Sequence, residues 1–192
     1  MLLPFIRTGG RSAGISSAVI IVSNAVPFAG AVFLGWPPFQ LLLLYWAESA
    51  IIGFFNIAAI LTCGLLGEKG TYRVLELLGA LFFAAFFTVH YGGFMAGHLV
   101  FLFVFFAPGF SDPDFGRAMD MLSRAWSDGT LVAAFVILFF SHAWRFRAYF
   151  LKEKRYLTSG PQELMAGPYV RIFIMQITII IGAALAMSTG WN

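Results

Sequence analysis

Apolar residues run along this chain in stretches of about twenty, parted by short polar breaks. A helix needs about 20 such residues to cross a bilayer core of ~30 Å. Five spans follow, at 15–35 (with Pro27 inside it), 38–67, 74–107, 129–150 and 169–188. Pro37 and Pro38 mark a tight turn between the first two, and Pro161 and Pro168 break the loop before the fifth. The third span is 34 residues long, or ~51 Å at 1.5 Å per residue. It must tilt, kink near Gly92 and Gly93, or project from the membrane. The alternating pattern of a membrane β-barrel is absent. The expected fold is an all-α integral membrane bundle of five transmembrane helices in one domain, 1–192.

The longest break carries its own pattern. Asp112-Pro113 reads as a helix cap followed by proline at the first helical position. Phe115, Met119, Leu122 and Trp126 then share one face, with Arg117, Asp120 and Arg124 away from it. This predicts a short amphipathic helix, resting on the membrane surface or on a partner, or serving as a plain capped connector.

Composition sharpens the class. Hydrophobic types make up 60% of the 192 residues and charged types 11%, against about 25% charged in soluble domains. The charges are placed unevenly. With five spans, Arg7, Arg11, Lys69, Arg73, Arg145, Arg147, Lys152, Lys154, Arg155 and Arg171 lie on one side, and only Arg117 and Arg124 on the other. That bias puts the amino terminus in the cytoplasm and the carboxyl terminus outside, in a prokaryotic inner membrane. Asp112, Asp114, Asp120 and Asp128 all fall in the outer loop. A cleaved signal peptide with Ala29-Gly30-Ala31 as its site is the rival reading of the first span, but the apolar run continues to Gly35. The single cysteine, Cys63, excludes an internal disulfide. The basic residues border spans instead of forming a free patch, which argues against nucleic-acid binding. Arg145, Arg147, Lys152, Lys154, Arg155 and Arg171 read as anchors to anionic lipid head groups.

Ionisable groups inside the spans are the candidate chemistry. Glu48, His90, His98 and His142 all lie in apolar stretches, where each costs a few kcal/mol. Tyr45, Glu48, Ser49 and Asn56 share a broad helical stripe. Interhelical hydrogen bonding explains Ser49 and Asn56. It explains Glu48 less well, because glutamine would bond without a charge to bury. Gly93 and Gly97 form a small-xxx-small pair in phase with His90 and His98, a candidate helix contact. The two histidines are ~12 Å apart along the axis, too far to share one ion at ~2.1 Å bonds. Depth counted from the span ends predicts two layers. Glu48, His98 and Asn24 form the first; His90, His142 and Asn56, with Gln176 nearby, form the second. Such groups can bind a transition metal or haem, with His90, His142, His98 and Glu48 as candidate ligands, or relay protons.

The blocks Tyr45-Trp46-Ala47-Glu48-Ser49 with Gly53 and Asn56, His90-Tyr91-Gly92-Gly93-Phe94 with His98, Ser141-His142, and Pro168-Tyr169 with Arg171-Ile172 resemble an uncharacterised family of prokaryotic multi-pass membrane proteins. The resemblance spans Leu41 to about Gly182. It implies histidine where this chain has Gln176, hence a ligand replaced here, and it implies no activity.

Familiar catalytic signatures are missing: there is no His-Glu-x-x-His, Gly-x-Ser-x-Gly or Cys-x-x-Cys-His. The leading expectation is a non-catalytic accessory subunit of a larger membrane complex, in contact with lipid and with other subunits or a second copy. The alternative is a metal- or haem-binding intramembrane enzyme or proton-coupled carrier. A secondary transporter is weaker, because no internal duplication is visible.

Overall fold

The computed structural model describes residue 33 and residues 35–67, 72–106, 115–127 and 129–189. The first predicted span, with Pro27 and Asn24, lies outside them apart from its last residues. So do Asp112, Asp114 and Asp128. Within the described residues the chain is helical, without strands. The helices are α1 (Pro38–Leu66), α2 (Arg73–Phe106), α3 (Phe115–Ser127), α4 (Gly129–Arg145) and α5 (Pro161–Thr189). Among the described residues four segments are long and apolar enough to cross a membrane: Pro38–Leu66, Arg73–Phe106, Gly129–Leu151 and Pro161–Ala184.

Pro38 opens α1 where its missing N–H costs nothing. The 34-residue α2 continues as one helix through Gly92 and Gly93. Beyond Arg145, α4 passes into a π-helical turn, Phe146–Leu151, and Lys154 then takes a left-handed conformation (φ 52°) that turns the chain. α3 is the short amphipathic helix. Ala125 is its buried residue, Leu122 is half-buried, and Met119 and Trp126 of the predicted apolar face stay exposed. Trp126 instead lays its ring edge-on to Phe135 of α4 at 5.5 Å.

The fifth span is longer than its sequence pattern implies. Pro161 and Pro168 do not break the chain: α5 begins at Pro161 and runs through a buried Pro168. Pro161 sits in the first turn, where a backbone N–H has no helical partner. Pro168 removes only one bond, to the carbonyl four residues back.

Packing fixes the directions. Phe39 meets Phe103 at 5.3 Å, and Tyr91 bonds to the carbonyl of Ser49, so α1 and α2 are antiparallel. Trp36 Nε1 donates to Thr130 Oγ1 at 3.0 Å, and His142 reaches Glu48; both pairs are 94 residues apart. α1 and α4 therefore run parallel and in register across twelve residues, ~18 Å. The buried residues of α2 (Ala80, Ala84, Phe87, Tyr91, Met95, His98 and Leu102) recur every three or four positions, as in helices packed at a shallow angle. Two apolar clusters result. One gathers Phe39, Leu44, Ile51, Phe103 and Leu138. The other gathers Ile60, Phe87, Tyr91, Ile172 and Met175. Glu48 lies on α1 within the first cluster's stretch, His142 just beyond that cluster on α4, and Arg171 beside Ile172 of the second.

The close helix contacts are not at Gly93 and Gly97. Among the described residues, a side chain built at either would meet nothing within 4 Å. At Gly53 it would meet the Tyr91 ring at 2.5 Å, and at Gly64 it would collide with Ala80. The glycine pair of α2 lies off that helix's buried stripe, so periodicity, not the pair, selects the packed face.

Candidate functional site

Three helices meet at Glu48. Its Oε2 forms an ion pair with Arg171 Nη2 from α5, and its Oε1 accepts from His142 Nε2 of α4 at 3.3 Å. An ionised carboxylate only accepts, so the proton of this bond sits on His142 Nε2. The three side chains are only 13%, 13% and 11% exposed. Glu48 and Arg171 cancel in charge, and the His142 imidazole completes the cluster.

Further groups saturate the arginine. Arg171 Nε donates to Ser49 Oγ at 2.9 Å, and its guanidinium lies 4.5 Å from the centre of the Tyr45 ring. Ser49 Oγ in turn donates to the Tyr45 carbonyl at 2.9 Å, and Tyr91 Oη donates to the Ser49 carbonyl at 2.8 Å. Tyr45, Glu48 and Ser49 can share Arg171 because positions three and four apart on a helix lie on one face. The result ties α1 to α2, α4 and α5 at one level.

The other predicted residues separate from this cluster, and the two-layer arrangement does not form. Glu48 pairs with His142, not His98. Depth counting placed Glu48 and His142 one helical turn apart, a gap their side chains close because α1 and α4 share a register. His98 is 4% exposed and donates from Nδ1 to the Phe94 carbonyl at 2.7 Å; its Nε2 has no partner among the described residues. His90 is exposed. Its Nδ1 bonds to Tyr169 Oη at 2.7 Å, and its ring stacks on Phe86 at 5.1 Å. Asn56 buries an Nδ2 that has no partner among the described residues. Gln176 is half-buried on α5, five residues beyond Arg171.

Arg171 is the correction of greatest weight. The sequence marks it as a head-group anchor at the start of a span. Because α5 begins at Pro161, Arg171 lies ten residues inside, ~15 Å. The signal was the proline pair itself: proline in a first helical turn opens a helix as readily as it ends one. Tyr91 and Tyr169 are the other participants that residue type alone did not mark. Of the remaining predicted anchors, Arg147, Lys152 and Lys154 are exposed, and Arg145 and Arg155 half-buried.

The candidate metal ligands are not brought together. Among the described residues no three His, Cys, Asp or Glu side chains stand close enough to hold an ion. Glu48 and His142 do meet, but both carboxylate oxygens already accept from nitrogen donors, one of them a permanent cation in the place a metal would take.

The fold and site thus define a helical membrane bundle built around a Glu–Arg–His centre. The chain belongs to a family of unknown function (DUF6498), whose profile matches residues 7–192. No curated protein and no solved structure matches it.

Proposed function

We propose that this protein is a non-catalytic membrane subunit in which the Glu48–Arg171–His142 cluster acts as an internal clasp, fixing α1, α4 and α5 for assembly with other membrane chains. The observation that carries this is that one carboxylate bridges two other helices: Glu48 accepts from His142 of α4 on one oxygen and from Arg171 of α5 on the other, and Arg171 also holds Ser49 and the Tyr45 ring of α1.

The outer face of α2 supports the subunit role. It carries Gly92 and Gly93 with open space at each, and the exposed His90. An imidazole edge against acyl chains is costly, and one against a neighbouring helix is not. The basic-residue bias supports a cytoplasmic amino terminus, and the sequence resemblance supports a prokaryotic inner membrane.

The test is a charge cycle. Glu48→Gln and Arg171→Gln singly should destabilise the detergent-solubilised chain by about 3–5 kcal/mol, while the double variant recovers most of that loss. A double variant as unstable as either single would overturn the clasp. Affinity purification from native membranes should return larger membrane chains in fixed proportion, and return fewer with Gly93→Leu.

His142 favours a second reading, a proton-coupled carrier, because a Glu–Arg pair balances its own charge and the imidazole adds a further ionisable ring against it. Vesicles holding the pure chain would then dissipate an imposed pH gradient, and His142→Ala would stop them. Vesicles no leakier than protein-free ones would end this reading.

A further inference from the structure

Arg145 is a second cation inside the bundle, and the clasp does not use it. On α4 it continues the buried stripe Leu131, Ala134 and Leu138, seven residues past Leu138, which is fully buried. That phase turns Arg145 toward the helix bundle, one turn beyond His142. It is half-buried. No described residue gives it an ion pair or hydrogen bond. Among the described residues the carboxylate of Glu48 is paired with Arg171, and Arg145 has no carboxylate of its own in a setting where an unpaired charge costs several kcal/mol.

We propose that Arg145 seats an anionic phosphate group on the Leu66 and Leu151 side of the clasp. A guanidinium presents a planar fork that suits two phosphate oxygens. Leu151 ends the span six residues away, ~9 Å along the axis. A lipid head group from that leaflet can reach this depth, and so can a soluble phosphate. This site is distinct from the exposed collar of Arg147, Lys152 and Lys154, which faces outward. The inference rests on the membrane-spanning reading but not on the clasp: the charge cycle at Glu48 and Arg171 succeeds or fails independently of it.

The test uses the full chain in maltoside, a detergent without phosphate. Phosphatidylglycerol, phosphatidylcholine and inorganic phosphate are added separately while the melting temperature is followed. Phosphatidylglycerol should raise it by about 2–4 °C near saturation. Arg145→Gln should abolish the shift and Arg147→Gln should keep it. If inorganic phosphate gives the same Arg145-dependent shift, the seat stands and its source is soluble. If phosphatidylcholine matches phosphatidylglycerol, the phosphodiester and not the net charge is recognised, and the seat again stands. A wild-type chain unmoved by all three, or a shift that survives Arg145→Gln, would overturn it. Should Arg145→Gln fail to fold, Arg145→Lys takes its place; it keeps the charge, loses the fork, and must weaken the shift.

Discussion

Glu48 and His90 are both polar groups set in helices that face hydrocarbon, and the molecule treats them in opposite ways. Glu48 is turned inward and meets partners from α4 and α5 on both oxygens. His90 is turned outward and holds one partner, Tyr169, across the gap to α5. The first is a full ion that must be matched inside the chain. The second is an imidazole whose other nitrogen can wait for another chain. The contrast teaches that a carboxylate in this bundle is matched within the chain, whereas an imidazole is tolerated on the outer face. The glycines divide in the same way. Gly53 and Gly64 lie under neighbouring side chains, whereas Gly93 and Gly97 meet open space.

Substitutions can break this contrast, and the largest effect belongs to the ion. Glu48→Ala strands Arg171 and should cost about 3–5 kcal/mol in unfolding of the purified chain; a loss below 1 kcal/mol would mean that the centre carries no stability. Gly53→Leu comes next, forcing the Tyr91 ring to move at about 1–3 kcal/mol. Gly93→Leu should leave the isolated chain within ~0.5 kcal/mol of wild type, and an equal penalty at the two glycines would erase the inside–outside distinction. His142→Ala removes a hydrogen bond to a charged group, about 1.5–3 kcal/mol, while His90→Ala should cost ~1 kcal/mol. At the surface of α3, Asp120→Asn breaks an exposed pair with Arg124 and should stay under ~1 kcal/mol, fading further in high salt.

Much of this was legible in the sequence. The spans beginning at Pro38, Val74 and Gly129 match α1, α2 and α4 because twenty apolar residues in a row leave few alternatives. Glu48 stood out because nothing in hydrocarbon explains a carboxylate by itself. Its partners were harder to read. Arg171 looked peripheral because Pro168 looked like a boundary, and an arginine near a span end is ordinarily an anchor. The pairing of Glu48 with His142 depends on the register of two helices separated by α2 and α3. That register is set by contacts such as Trp36 with Thr130, which a hydropathy pattern does not contain. Depth counted along the spans sets Glu48 and His142 one turn apart, and one turn is the difference between two histidines as partners.

The span between Glu48 and Arg171, 123 positions of chain, has a consequence for biogenesis. At about 5–20 residues per second, a ribosome takes roughly 6–25 s to make that stretch, so α1 reaches the bilayer well before its counterion exists. Through those seconds Glu48 lacks the guanidinium that balances it, so α1 is at its most costly in hydrocarbon until α5 is made.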